Sequence, residues 1–558
     1  MKRLIFFPFA FMITMLSWAD DAKTADYRVV CKDGSVAFFS GAVTEMSFSE
    51  DGSILYISNI EDSQTKSLIC YAVEGIEAIE FAEGGTHSGK YSYSGSHVNV
   101  AIDSADDTSY TEVAEEVITD AKHDDYGDFE ENLSVAGKVT VTYNGTVATV
   151  SANGKTVTSG DKPSNVLSGV MVQVQGAHVA ISSTVKDVQY TLKGTTSNGS
   201  FKLLASSVRS RITMEGVNIT NPTGAAINIQ SGKTIMVKLA DGTTNTLKDG
   251  ATYTMTTGED QKGAFFSEGQ LVFSGKGSLD VQSIGGHGIV SDDYVRVRSG
   301  NITVNSVRDG INTNDRFIMY GGVVNVTAQQ DGLDIGKGYI EIGGGKLTVN
   351  AVDEGITASY EGDDAGNIDP LITPYINIKG GLIKVTTTGD KGHAVRAMST
   401  LSMTGGIVQA TAKGAGAKAV MSEGDMTFTG GKLTALTEGN SLYEADVKEL
   451  SSAAAVRSKG VLTIANAIVG AKSIGAGGKG INNVGNIVLS NAQVTVVAQG
   501  EGYEHNGLDA QSRGVDTDGS IAIDGGELLV RSYAAPLNAA SGVSFKNKAV
   551  YNGYQIGE

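Results

Sequence analysis

HGIVSDDYVRVRSGNITVNSVRDGINTNDRFIMYGGVVNVTAQQDGLDIGKGYIEIGGGKLTVNAVDEGI, residues 287–356, is the stretch whose reading decides the fold. Asp309-Gly310-Ile311, Asp331-Gly332-Leu333 and Glu354-Gly355-Ile356 start 22 and then 23 residues apart. His287, His393, Lys418, Lys479 and Arg513 hold the same place elsewhere, each followed by Gly or Ala and then Ile or Val. A period in the low twenties, with glycines in fixed places, is the signature of stacked repeats.

A second pattern runs alongside. Val295/Val297 precede Gly300, Phe317/Met319 precede Gly321-Gly322, and Ile340/Ile342 precede Gly343-Gly344. Ile376/Ile378, Leu401/Met403, Met426/Phe428, Leu462/Ile464, Ile487/Leu489 and Ile521/Ile523 continue it. Alternation of period two puts each apolar pair on one face of a strand. The glycines permit positive φ at a sharp corner. NITVN, VVNVTA and KLTVNA follow as further strands, and then the Gly-Ile strand. The expected fold is therefore all-β. It is a right-handed parallel β-helix, with three short strands and about 22–25 residues per coil, preceded by a small N-terminal β-rich module. A propeller blade would need about 40 residues.

Stacking has an electrostatic consequence. Equivalent residues of successive coils lie about 4.8 Å apart. Asp309, Asp331 and Glu354 then form a ladder of like charges, which is destabilising unless something offsets it. Ca²⁺, which prefers clustered carboxylate oxygens, is the expected cofactor. Asp292, Asp293, Asp309, Asn312, Asp315, Asp331, Asp334, Asp353 and Glu354 are the candidate metal ligands. Asp293 and Asp315 share one coil position, and Asn312 and Asp334 another. The competing reading is a solvated acidic face with Asp-Gly serving turns.

Three steps of the apolar pattern are longer than the rest, so loops leave the coil near 357–374, 436–460 and 499–513. Loops on a rigid scaffold are where binding concentrates. The first is acidic, through Glu361, Asp363, Asp364 and Asp369; the other two carry Tyr443 and Tyr503. Tyr294, Tyr360, Tyr443 and Tyr503 are the candidate carbohydrate-stacking residues. Ordinary cover at strand ends is the alternative for each.

Residues 1–19 read as a secretory signal peptide: Lys2 and Arg3, an apolar run from Leu4 to Leu16, and Ser17-Trp18-Ala19 before Asp20. The expected location is exported: periplasmic, cell-surface or extracellular. No later run is long and apolar enough to span a membrane. In an exported chain the two cysteines, Cys31 and Cys70, either pair or remain as buried thiols. Residues 20–85 read as a small β-rich module, in which Val43, Met46 and Phe48 are matched 33 residues on by Ile76, Ile79 and Phe81. Residues 86–132 read as an acidic linker, a solvated spacer, and 133–558 as the repeat domain. A net charge of −19 disfavours nucleic-acid partners, whose phosphates need Lys and Arg. No HExxH, GxSxG or P-loop motif is present.

YNGTVATV, LKGTTSNGSFKL, AINIQSGK, LADGTTNTLKDGATY, KGAFFSEGQLVFSGKGSLDV, HGIVSDDYVRVRSGNITV and DGINTNDRFIMYGGVVNV resemble the secreted carbohydrate-binding domain family. The resemblance covers roughly residues 133–535. It implies a right-handed parallel β-helix similar to pectate lyases in fold, with Ca²⁺ sites and a polysaccharide partner, including acidic plant polysaccharide. The expected function is non-catalytic, Ca²⁺-dependent polysaccharide binding, with polygalacturonate as a ligand. Two alternatives stay open. One is a Ca²⁺-dependent polysaccharide lyase drawing a base from Arg296, Arg298, Arg308, Arg316 or Lys337. The other is a structural or adhesive solenoid.

Overall fold

A computed structural model describes residues 2–4, 27–39, 44–59, 68–81, 101–102, 110–160, 162–206, 208–362 and 365–556. The described part is all-β apart from three short 3₁₀ turns. Most of the expected leader, residues 86–100 and 103–109 of the expected linker, and Asp363 and Asp364 lie outside these residues. Lys2–Leu4 pairs antiparallel with the strand Ile76–Phe81.

Three ladders of parallel strands account for most of the chain. One joins the Gly-Ile strands: His287–Ser291, Ile311–Thr313, Leu333–Ile335, Ile356–Ala358 and Val395–Ala397 pair in that order. The second joins the apolar pairs, with Val295, Phe317, Ile340 and Ile376 in register. The third joins Asn301–Ser306, Val323–Ala328, Lys346–Ala351 and Leu382–Thr387. The long steps fall where the sequence places them, since Ile340 pairs with Ile376, Phe428 with Ile464 and Leu489 with Ile523. Two of the intervening segments fold into hairpins, Leu442–Glu444 with Glu449–Ser451 and Tyr503–His505 with Leu508–Ala510.

The inward columns are Ile, Val, Leu, Phe and Met, and they form one continuous core. Each such side chain contributes about 1.5–3 kcal/mol by leaving water. Two kinds of glycine shape the coils. Gly322, Gly381, Gly406 and Gly431 turn the corner at φ of 81°, 89°, 79° and 78°. Gly310 has another task. A Cβ there would stand 2.7 Å from the carbonyl oxygen of Gly332 and overlap Val326, so the Asp-Gly-Ile glycine is a close-packing residue.

Both ends of the ladders are covered, which hides the unpaired edges. The strand Gly137–Asn144 pairs parallel with Val188–Thr196 and antiparallel with Val147–Ala152. At the other end the N-terminal unit docks. Its strand Leu68–Ala72 pairs antiparallel with Leu537–Ala539, and Tyr551 Oη donates to the Cys70 carbonyl at 3.3 Å. Ile54, Cys70 and Ala72 belong to the main core, so the unit is not free-standing. Cys31 and Cys70 are both buried and unbonded.

The acidic linker corrects its expectation. Its described residues are a packed strap, not a solvated spacer. Ile102 is buried against Gly470, and Gly381 N donates to the Thr111 carbonyl at 2.8 Å. Val113 N donates to the Gly343 carbonyl at 2.8 Å. Further along, Arg296 pairs with Glu115 at 2.8 Å, Asp125 at 2.7 Å and Asp128 at 2.9 Å. Arg298 holds Glu115 at 2.7 Å and Glu131 at 3.0 Å, and Arg316 reaches Asp125 at 2.5 Å. Phe129 is fully buried, with the Arg298 guanidinium 4.7 Å from its ring centroid. The described residues of this segment thus follow the stack back from Gly470, beside Ile102, to the arginines of the earlier rungs. Its carboxylates neutralise a ladder of arginines that composition alone could not pair with them.

Removing one member of such a buried network strands the others. Arg296→Ala is expected to cost about 3–5 kcal/mol. Chemical denaturation measures the loss, and limited proteolysis should show faster cleavage within residues 110–132.

Candidate functional site

The acidic ladder sits at the corner that leads into the Gly-Ile strands. Main-chain bonds fix its spacing: Gly288 N donates to Asp309 O at 2.9 Å, Gly310 N to Asp331 O at 2.9 Å and Gly332 N to Glu354 O at 2.8 Å. Asp309 and Asp331 each also accept an amide from the next rung. Asp331 N donates to Asp309 Oδ1 at 3.2 Å, and Glu354 N to Asp331 Oδ1 at 2.9 Å. Asn312 Nδ2 bridges Asp309 at 3.0 Å and Asp334 at 2.9 Å. His287 Nδ1 lies 2.9 Å from Asp309 Oδ2.

Carboxylate oxygens of Asp331, Asp353 and Glu354 lie within 4.8 Å of one another. Among the described residues nothing of opposite charge pairs with them except Arg396, whose Nη1 reaches Glu354 at 3.4 Å. Burial, then the negative charges of Glu354, Asp309 and Asp334, pushes the Asp331 carboxyl far above the usual carboxylate range. Burial and the Asp353 charge raise Glu354 as well. Burial and Asp309 push Asp334 up to about 6. Asp309 differs: burial raises it, but the His287 hydrogen bond and charge outweigh that and hold it low. Three adjacent carboxylates, hard oxygen donors, are the set that would hold a metal ion.

The nine candidate ligands divide in two. Asp309, Asn312, Asp331, Asp334, Asp353 and Glu354 come together at this corner. Asp292, Asp293 and Asp315 lie at the far end of the same strands. There Lys262 neutralises Asp292 at 3.0 Å, and Asp293 receives a bond from the Gln270 amide. Burial and the Asp315 charge push Asp293 up to about 6.

The tyrosines divide likewise. Tyr294 is buried, its hydroxyl donating to Asp128 at 2.7 Å beneath the Arg316 guanidinium, so it presents no open ring face. Tyr360 is also buried. These two candidates are corrected: the strap and the neighbouring loop cover them. Tyr443 and Tyr503 are partly exposed on the two hairpins. Between them stands His505, 4.4 Å from the Tyr443 ring and 6.4 Å from the Tyr503 ring, nearly parallel to the latter at 5°. Hairpin pairing of two inserted segments creates this aromatic edge, and spacing along the chain does not reveal it. The basic residues Arg396 and Arg457 were also not legible as site residues.

Residues 175–407 match the family described as carbohydrate-binding domain-containing protein, and every candidate metal ligand falls inside that span. A protein of Acetivibrio thermocellus with the same description is 30% identical over 162 residues, 28% of this chain and 55% of its own. The chain thus spans about half the length of that relative. A solved structure titled as a polysaccharide lyase-like protein from C. thermocellum, gadolinium derivative, is 24% identical. It aligns over 45% of this chain and 91% of its own, with a TM-score of 0.36. Among the described residues no helix is long and apolar enough to cross a membrane.

The raised carboxyls fix the sign of a pH effect. The folded protein keeps protons on Asp331 and Glu354 at pH values where the unfolded chain, titrating near pH 4, has lost them. Metal-free stability from these groups therefore falls as pH rises. In chelator, Asp331→Asn should unfold at a higher temperature than the parent at about pH 8, with the gap closing toward about pH 5. Thermal unfolding at both pH values checks this.

Proposed function

We propose that this chain is an exported, non-catalytic polysaccharide-binding protein that works through Ca²⁺, on a right-handed parallel β-helix. The observation that carries the reading is the Asp331, Asp353 and Glu354 cluster, within 4.8 Å and without a full complement of positive charge. These three residues would hold the ion, with Asp309 and Asp334 beside them. Bound Ca²⁺ supplies positive charge that attracts the carboxylates of an acidic glycan, which an acidic protein would otherwise repel. Polygalacturonate is the favoured ligand on that ground. Tyr443, His505 and Tyr503 offer an aromatic edge suited to the apolar face of a sugar ring.

The match of residues 175–407 to carbohydrate-binding proteins supports the sugar partner. The arginines bear on the lyase alternative. Arg296, Arg298 and Arg316 are each held by strap carboxylates, so none of the three stands ready as a base.

Calorimetric titration of polygalacturonate should give heat with Ca²⁺-loaded protein and none after chelation, with no unsaturated product released. Asp331→Asn with Asp353→Asn should abolish the Ca²⁺-dependent heat. Heat that persists in chelator would reject the bridging role of the metal. Tyr503→Ala should weaken binding by about tenfold without changing Ca²⁺ affinity. An unchanged affinity would remove the aromatic edge from the site.

A further inference from the structure

The ladder that begins with Asp309, Asp331 and Glu354 does not end there. Gly355 N donates to His393 O at 2.8 Å, and Ala394 N to Lys418 O at 3.1 Å, so His393 and Lys418 are its next two rungs. One column over, Asn312, Asp334 and Thr357 are followed by Arg396, Met421 and Arg457 in strict register. The same two columns therefore change from acidic to basic within two rungs, through His393 in one and Thr357 in the other.

What stands out is how little answers the basic half. Lys418 is only 7% exposed and has no carboxylate partner among the described residues. Its ammonium donates to the Gly416 carbonyl and to Ser451 Oγ, both at 2.7 Å, which uses two of three N–H groups. His393 is buried, and its Nδ1 accepts from Lys418 N at 3.1 Å. In the neutral ring that bond places the remaining proton on Nε2, a second donor. Burial, Lys418 and Arg396 keep this imidazole neutral. Arg396 Nε is buried without a partner. Arg457, half-buried, makes no ion pair or hydrogen bond among the described residues. Of the carboxylates nearby, Glu354 reaches Arg396 at 3.4 Å and Asp518 acts on Arg457 only through its charge, while Glu444 is engaged by Lys391 at 2.9 Å, Glu423 by Lys459, and Asp516 by Lys479 and Arg513.

We propose that His393, Arg396, Lys418 and Arg457 form an oxyanion subsite that takes a sugar-borne carboxylate one or two rungs beyond the metal cluster. Among the described residues the one carboxylate paired with the group is Glu354, 3.4 Å from Arg396 Nη1, and the positions left unfilled on His393, Arg396, Lys418 and Arg457 are all donors. An anion is the chemistry that completes such a set. Rungs stack about 4.8 Å apart. A polyuronate lying along the stack would then meet a cation-bridged carboxylate at one point and a directly hydrogen-bonded one at the next. This rests on the acidic-glycan reading for the identity of the ligand, though not for the existence of the anion site. Lys418 and Arg457 lie beyond residues 175–407, so the match to carbohydrate-binding proteins does not supply them.

Arg457→Gln is the variant of choice, because the parent side chain has no partner to lose. At saturating Ca²⁺ it should weaken oligogalacturonate binding by at least ~10-fold, leaving Ca²⁺ affinity and folding intact. Lys418→Met should weaken oligogalacturonate binding likewise and serves as the second variant, with thermal unfolding measured alongside because it loses the bonds to Gly416 and Ser451. Dextran sulfate and neutral dextran distinguish the source of the anion. Binding of dextran sulfate alone would place a sulfated glycan in the subsite, and binding of neutral dextran with equal affinity would overturn it. Thermal unfolding in sodium sulfate against sodium chloride of equal ionic strength tests the site without any glycan. Sulfate should stabilise the parent and not Arg457→Gln. If parent and variant respond alike to sulfate and bind oligogalacturonate alike, the subsite is wrong even where Ca²⁺-dependent binding holds. If the parent binds no oligogalacturonate but shows the sulfate difference, the acidic-glycan reading fails and the anion site stands.

Discussion

Strict register is the constraint on which this structure depends. Once parallel strands pair residue for residue, every position becomes a column, and a column has the chemistry of whatever residue type recurs there. Apolar columns become the core at no electrostatic cost. A charged column cannot be left alone, because its members stand one strand spacing apart and repel.

The protein meets that problem in two ways on two sides of the stack. The arginines at 296, 298 and 316 are answered from within the chain: the strap returns along the outer surface and lays Glu115, Asp125, Asp128 and Glu131 on them. Gly470 makes room for Ile102 at the far end of that path. The carboxylates at 309, 331 and 354 receive no such cover. Asp309 and Asp331 accept main-chain amides, His287 stands beside Asp309 and Arg396 beside Glu354, and the cluster still keeps a shortfall of positive charge. Further along the same columns the sign reverses, and there the shortfall is of negative charge. One surface therefore carries an unanswered acidic step followed by an unanswered basic one. The basic step abuts the hairpin that bears Tyr443, through the Lys418 bond to Ser451.

Much of this was legible in the sequence because it is periodic. The apolar pairs, the corner glycines and the three long steps follow from one repeat unit read many times. The Asp309, Asp331 and Glu354 column follows from the same arithmetic. What period alone does not carry is contact between segments of unrelated phase. Composition marked the acidic stretch before residue 132 as solvated, yet its charges meet arginines more than 150 residues away, as Arg296 and Glu115 do across 181 positions. The burial of Tyr294 follows from that same strap. Asp293 and Asp315 share a coil position and, with Asp292, were counted with the other acidic columns, although a three-residue strand is enough to put them at the opposite corner. The Gly310 position reads as a turn in the sequence and is a steric requirement in the fold.

The central claim is that the acidic ladder is completed by a cation that displaces protons. Calcium titration by calorimetry at pH 7, in two buffers of different ionisation enthalpy, tests it most directly. If Asp331 and Glu354 hold protons in the metal-free protein, binding releases them, and the apparent enthalpy must change between buffers. Saturable Ca²⁺ binding with that buffer dependence, lost in Asp331→Asn, is the predicted result. Absence of Ca²⁺ binding, or binding with the same enthalpy in both buffers, would contradict the account.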